Sequence, residues 1–524
     1  MEKNSTAKLK LNYPLTILTG FGFLGTQIAW QIYDPYITKI LDKFLSISPT
    51  VSAWSARLAD SALLRGFIES QGSNAYVAGR FTIVPLLIGI IMTFDNIFGV
   101  VFQPAFGKLS DNCHSRWGKR RPFIFWGAPI SAVLFALIPW MPSLPLVMAT
   151  IILFVFIMSL WRAPVVALMP DLTPPKLRSE ANGVISFMGG LGSALGMAAG
   201  TVVTAIYLSM HGMTKQSPAY NEFDTFPAVF AIGAVVMIIG MLVLMFFVNE
   251  KDTRLLSAEV LTARNETARK AAEKEAKRKE KEELKQHKLS RSERKSLLLM
   301  LGGLFFLFCG MNAITTFFAL FADEILHRDT AQATFLMLIF ALCAMGGSLP
   351  AGWLGKRIGR KKTIVLGLSM MLGVFLTFFA AFLILSGSGG LSIGEYVRLN
   401  AAGQSSPEML RTAAVLDKLI YPVMAVGGVA SMFINVNTLP LVLEIGGIEK
   451  VGTFTGYYYT ATFSAQIASP IAYGFFRMFS GTYLSLFYYS PIAFALSFLL
   501  ILFVRHGEAI PQEVIKEAEA AGDS

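Results

Sequence analysis

Residues 101–124 read VFQPAFGKLSDNCHSRWGKRRPFI, and what flanks this stretch decides the fold. Lys108, Arg116, Lys119, Arg120 and Arg121 crowd into its middle. On one side lies the apolar run 81–104, on the other the apolar run 123–141. A helix that crosses a bilayer needs ~20 mostly apolar residues. A short basic loop between two such runs predicts two spanning helices joined at the cytoplasmic surface, where loops are enriched in Lys and Arg.

The same reading extends along the chain. Apolar runs occupy 13–34, 81–104, 123–141, 145–169, 181–209, 227–248, 297–320, 333–353, 363–386, 416–440, 453–477 and 483–504. Twelve continuous runs exclude a membrane barrel, whose strands alternate over ~10 residues. Composition agrees: 54% of the 524 residues are hydrophobic, 42 of them Phe, and only 15% are charged. Soluble proteins average about 25% charged residues. The predicted fold is therefore an all-α polytopic membrane protein with twelve transmembrane helices.

With the first run entering from the cytoplasm, segments 1–12, 105–122, 170–180, 249–296, 354–362, 441–452 and 505–524 lie inside and hold 33 of the 45 Lys and Arg residues. That asymmetry predicts two cytoplasmic termini in a multi-pass cell-membrane protein. Lys3, Lys8 and Lys10 precede the first run, which lacks a small-residue cleavage site and reads as a membrane helix, not a removable signal. The net charge of +11 is explained by these loops, so no nucleic-acid partner is expected. Cys113, Cys309 and Cys343 have neither metal-ligand nor redox spacing.

Six runs precede the segment 249–296 and six follow it. The domains are thus a six-helix bundle 1–248, a charged cytoplasmic linker 249–296, a second six-helix bundle 297–504 and a tail 505–524. The linker is rich in Ala, Glu, Lys and Arg and reads as a solvated helix. A lipid-headgroup or regulatory role is the alternative. Internal echoes support two pseudo-symmetric halves: GKLSDNCHSRWGKRRPF against GWLGKRIGRKKTI, and PDLTPPKLRSEANG against PLVLEIGGIEKVGTFTG. Two like bundles are the plan of many secondary transporters.

The loop residues Gly107, Asp111, Gly118, Lys119, Arg120 and Arg121 resemble the signature loop of the major facilitator superfamily, with extra residues between Asp111 and Gly118. The whole stretch 101–124 resembles the sucrose/proton symporters of the glycoside–pentoside–hexuronide cation symporter group. So do Arg162-Ala163, Pro170-Asp171-Leu172, Ala181-Asn182 and Asp34-Pro35-Tyr36. These matches cover the first ~200 residues; the second half matches only in architecture, and there Lys356 stands where Asp111 would be. The resemblance implies sugar symport by alternating access. It also implies a gating loop of Gly107, Asp111, Arg116, Gly118, Arg120 and Arg121, in which Asp111 would latch to Arg116 or Arg120.

Ionisable residues inside a membrane are functional by default. Asp95 lies in IIMTFDNIFGVVFQ and Arg162 in FIMSLWRAPVVALM, and these two are the predicted ion-coupling residues. A carboxylate whose surroundings change as access alternates can take up and release a proton; a fixed Asp95–Arg162 pair is the structural alternative. Polar stripes at helical spacing, Gln27, Gln31 and Asp34 on the first run and Asp95, Gly99 and Gln103 on the second with Asn96 beside them, should line a wet cavity or bind another helix. Asn312, Asn435, Asn437, Tyr457 and Gln466 complete the predicted substrate set, since amides and aromatic faces suit hydroxyl-rich ligands. Gly192, Gly196 and Gly200 form a close-packing stripe.

No enzyme constellation and no phosphate-binding loop appears, so an enzyme or ATP-driven pump is not expected and no cofactor is predicted beyond a coupling ion, H+ with Na+ as the alternative. The expected function is proton-coupled symport of a disaccharide or glycoside, with neither a metal nor an obligate protein partner. The alternative is an exporter exchanging protons for a drug or metabolite.

Overall fold

The computed structural model describes residues 11–61, 64–66, 81–173, 177–249, 291–389, 392–401, 404, 406–446 and 451–505. Among them there are helices and no strand. The first half contains α1 (Tyr13–Ser46), the short α2 (Pro49–Asp60), α3 (Val84–Ile91), α4 (Phe94–Asp111), α5 (Arg121–Leu137), α6 (Leu144–Leu172), α7 (Arg178–His211) and α8 (Phe226–Phe247). The second contains α9 (Arg291–Leu326), α10 (Thr330–Ile358), α11 (Arg360–Ser388), the short α12 (Ile393–Ala401), α13 (Pro407–Gly446), α14 (Val451–Ser480) and α15 (Leu486–Leu502).

Ten spans are long and apolar enough to cross a membrane, α3 and α4 counting as one. α1, of 34 residues, and α14, of 30, are long enough but less apolar. Both sit against the centre of the molecule, where polar side chains meet protein and cavity and not lipid. The predicted run 81–104 is one span in two pieces, interrupted at Met92 and Thr93. At this break the Thr93 hydroxyl donates to the Gly89 carbonyl at 2.7 Å. Residues 291–296, assigned to the linker on sequence, are instead the first turns of α9. The remainder of the linker and of the tail lies outside the described residues, apart from Asn249 and Arg505.

Packing repeats between the halves. α1 packs on α7 and α8, α5 on α6 and α8, and α4 on α6. In the same order, α9 packs on α14 and α15, α11 on α13 and α15, and α10 on α13. Helices in lipid associate through close contact of small residues, and the Gly192–Gly196–Gly200 stripe does this against α1. A Cβ at Gly192 would lie 2.9 Å from Leu24 Cα, and one at Gly196 would lie 2.9 Å from the Ile28 carbonyl oxygen.

The halves meet through a symmetric pair of seams, α3 on α14 and α7 on α10, with α1 on α9 between them. These seams lie at the face opposite the basic loop 112–120. α4, which continues toward that loop, makes few contacts with α14. Cβ atoms placed at Gly107, Gly183, Gly352 or Gly456, toward the basic-loop face, would meet open space. The molecule is thus closed at one face and parted at the other.

Polar locks reinforce the closed face. Lys39 bridges Glu222 at 3.2 Å and Asp323 of the second half at 2.7 Å. Asp329 caps α10 through a capping box and takes Lys215 at 2.7 Å and the Tyr220 hydroxyl at 3.0 Å from the first half. Glu222 also accepts from the Thr330 backbone and hydroxyl, at 2.9 and 3.0 Å. The Thr201 hydroxyl donates to the Ala331 carbonyl at 3.1 Å.

Candidate functional site

Midway between the faces, a cavity of about 390 Å³ lies between the two halves. α1 supplies Gln27, Trp30 and Asp34; the broken span supplies Asp95, Asn96, Gly99 and Gln103; α6 supplies Arg162. From the second half come Asn312, Thr315 and Thr316 of α9, and Phe463 and Gln466 of α14. Eight of the twelve residues predicted for ion coupling or substrate binding therefore line one space.

The break in the second span places Asp95 in the first turn of α4. There its Oδ1 accepts from the Asn96 backbone N–H at 2.7 Å and from Asn96 Nδ2 at 3.0 Å. A carboxylate is favoured at a helix N-terminus by the exposed N–H groups and the helix dipole. Arg162 makes no hydrogen bond or ion pair with any described residue; its guanidinium carbon lies 5.5 Å from the Trp30 ring centre. Trp30 is itself held edge-on to Tyr33 at 5.4 Å and beside Phe154 at 6.2 Å, and its buried Nε1 donates to no described residue. Asp34, Asp95 and Arg162 thus share one cavity with no ion pair between them. The fixed Asp95–Arg162 pair is not what the structure contains.

Four predicted substrate residues fall elsewhere. Asn437 is buried; its Nδ2 donates to the Ala351 carbonyl at 3.2 Å and the Phe433 carbonyl at 3.0 Å. It joins α13 to α10, a structural role. Gln31 is turned toward α7, where its Cβ would abut any side chain at Gly196. Asn435 is half-buried outside the cavity, its carbonyl accepting from Thr438. Tyr457 is exposed and packs edge-on to Phe454 at 5.7 Å. Sequence reasoning missed Trp30 and Phe463. A signal for Trp30 existed: it is three residues from Gln27 and four from Asp34, on the same helical face. The stripe runs through 30, where the sequence reading chose 31.

At the parted face, Arg120 lies buried at the start of α5 and pairs with both Asp111 and Asp171, the latter at 2.9 Å. It also donates to the Gly107 carbonyl at 3.3 Å and to Ser110. Burial alone would lower its pKa, but the Asp171 and Asp111 carboxylates outweigh this and raise it. The neighbouring Arg121 donates to the Met245 carbonyl at the end of α8. The second half repeats the device: Arg360 pairs with Glu444, and Lys361 donates to the Leu502 and Val504 carbonyls at 2.8 and 2.7 Å. In each half, consecutive cations at the start of one helix bind the ends of others, three in the first half and two in the second. Gly118 and Gly359, with φ of 114° and 98°, make the turns that present them. Arg116 lies 5.7 Å from the Trp117 ring and is not the partner of Asp111. The Asp111–Arg120 pair is formed while this face is parted, and it ties helices of a single half.

The sequence profile of the Major Facilitator Superfamily matches residues 15–405. The chain is 28% identical over 184 residues to the sucrose transport protein SUC3 of Arabidopsis thaliana, covering 30% of this chain and 29% of that protein. It is 22% identical over 327 residues to the isoprimeverose transporter of Lactiplantibacillus pentosus, covering 60% and 62%. The chain thus spans less than two thirds of the length of either relative. The fold is similar to that of the xylose transporter XylE from E. coli in an inward-open conformation, with a TM-score of 0.53, 15% identity, and 94% of this chain and 96% of that one covered. A D-xylose-proton symporter gives a TM-score of 0.53 at 13% identity, with the same coverage. Repeated six-helix packing, the basic signature loop, a polar cavity at the seam and a profile match across most of the chain converge on one conclusion: the protein is a polytopic membrane protein belonging to the major facilitator superfamily.

Proposed function

We propose that the protein is a secondary active transporter that moves a neutral, hydroxyl-rich, sugar-type solute together with a proton, and that the structure is its cytoplasm-open state. The observation that carries this is the set of unpaired charges in the central cavity. Asp34 and Asp95 against Arg162 leave a net charge of −1 when all three are ionised. One bound proton makes the cavity electroneutral. Proton uptake then removes the cost of holding uncompensated charge where water is displaced by a neutral solute. Solute and proton would thus favour each other's binding, which is the requirement for symport.

The remaining wall suits a polyol. Gln27, Asn96, Gln103, Asn312 and Gln466 offer donors and acceptors, the Trp30 Nε1 offers an unspent donor, and the Trp30 and Phe463 rings offer apolar faces. The basic loop face is assigned to the cytoplasm from the Lys and Arg bias. Relatives named as sucrose and isoprimeverose transporters favour the same solute class.

The test is uptake of labelled disaccharides and glycosides into vesicles with and without a pH gradient, and separately with a Na+ gradient. Accumulation driven by the pH gradient alone is expected. Asp95→Asn should abolish accumulation while leaving exchange of solute down its own gradient. Accumulation by Asp95→Asn at parental levels removes Asp95 from coupling; accumulation driven only by Na+ removes the proton.

A further inference from the structure

Four cations described at the basic-loop face are held by the fold. Arg120 is taken by Asp111 and Asp171, Arg360 by Glu444, and Arg121 and Lys361 by helix-end carbonyls. A different situation holds at the start of α9. Arg291, Arg294 and Lys295 are exposed and have no hydrogen bond or ion pair with any described residue. They are spaced i, i+3 and i+4, so they share one side of the helix. The next residues on that side are Leu298 and Leu299, and Leu298 is 62% exposed.

These five residues and Leu500 of α15 line a groove of about 350 Å³ on the outside of the second half, away from the central cavity. α15 ends beside it: the Arg505 backbone N–H donates to Ser296 Oγ at 3.2 Å, which brings a fourth cation next to Lys295. The groove therefore has leucine walls on its membrane side and three unpaired cations at its rim. Neither an apolar groove alone nor a basic rim alone would specify an occupant. Together, at the boundary of the bilayer, they complement a molecule with an anionic head and a hydrocarbon tail.

We infer that the groove between α9 and α15 is a binding site for an anionic phospholipid of the cytoplasmic leaflet, with the phosphate on Arg291, Arg294 and Lys295 and an acyl chain along Leu298, Leu299 and Leu500. The site does not depend on the transported solute. Each cation near a charged membrane surface contributes about fivefold to such binding, so three contribute on the order of a hundredfold.

The test uses the full chain, stripped of lipid in detergent and titrated with phosphatidylglycerol or phosphatidylcholine of equal chain length, with bound lipid counted by native mass spectrometry. Phosphatidylglycerol is expected to be retained in preference to phosphatidylcholine, and the triple variant Arg291→Gln/Arg294→Gln/Lys295→Gln should lose that preference. Leu298→Ser should weaken binding while leaving the rim charge intact, and an unchanged melting temperature in each variant shows that the fold is kept. Equal retention of the two lipids, or a triple variant that keeps the preference, overturns the site. Competition by soluble glycerol phosphate as strong as by the whole lipid assigns the rim to free anions and overturns the lipid. Cross-linking of Lys295 to a glutamate of the linker 249–290 in place of lipid uptake assigns the groove to the chain itself and overturns it equally.

Discussion

Gly89 offers the sharpest test of how the closed face is held. A Cβ at this position would lie 2.6 Å from the Pro470 carbonyl carbon of α14, where ordinary contacts run from 3.4 to 4 Å. Gly89→Ala therefore requires α3 and α14 to separate by roughly 1 Å, in a place where backbone faces backbone and no flexible side chain can yield. Overpacking of this kind costs about 1–3 kcal/mol. The methyl group gains some helix propensity, but it gains it in every conformation, so that term cancels. The clash exists only while the halves are apposed at this face. The population should then shift toward the oppositely open state by about 5- to 150-fold. Spin labels at Gln216 and Ser388, exposed residues of the two halves at the closed face, report the change as a longer distance by pulsed electron resonance, on a background with Cys113, Cys309 and Cys343 replaced. Gly183→Ala, whose Cβ meets nothing within 4 Å, serves as the control. If the distance distribution in Gly89→Ala matches the parent, or if Gly183→Ala moves it as far, the seam is not what closes this face.

Arg120→Gln leaves Asp111 and Asp171 without their cation; both carboxylates are partly exposed, so the loss is about 1–3 kcal/mol, read as a fall of a few degrees in melting temperature in detergent. Arg120→Lys should recover only part of it, because an ammonium cannot reproduce the fork. Asn437→Ala should cost ~0.6–2 kcal/mol of stability and leave the apparent affinity for solute unchanged, whereas a large change in affinity would return Asn437 to the binding site. Closure should also depend on pH through Asp42, on the part of α1 beyond the predicted span 13–34. Burial pushes its carboxyl up to about 6, raised further by Asp323 and Glu324 and opposed by Lys39 and Arg477. Opening would return it to water and to an ordinary value near ~3.9. The closed face then binds the proton more tightly, so closure weakens as pH rises from about 4 to about 6 and stays level above that. The same spin-label pair should show this trend, and Asp42→Asn should flatten it.

The fold was legible because its signals are local and additive. Apolar runs and loop cations each report on their own segment, and most predicted runs coincide with spanning helices to within a few residues. α1 and α13 extend well beyond theirs, since helix continues past the bilayer where composition no longer marks it. The site was legible by type but not by register. Asp95 and Arg162 stand out because charge in lipid has few other uses, and Gln466 and Asn312 shared that logic. Asn437 carried the same signal as Asn312 yet bridges two helices, because an amide in a membrane helix serves either purpose equally well. Only the angle of α13 against α10 decides, and no single-helix pattern contains that angle. The clamps of Arg120 and Arg360 were visible as charge, and the nearby Asp111 could be expected beside Arg120, but Asp171 and Glu444 lie some 51 and 84 residues away in sequence.

The interruption at Met92 and Thr93 has no counterpart in α10, which runs unbroken from Thr330 to Ile358. The two halves are alike in layout but unequal in continuity: one second strut has an elbow, the other is a single helix. The upper arm of that elbow is stapled to α14 at Gly89, while the forearm carries Asp95 in its first turn and runs along α6 to the basic loop. A bend there would turn the carboxylate without disturbing the staple. Whatever rocking the pair of bundles performs, it is the jointed half that can convert a change of posture into a change in how Asp95 meets its surroundings.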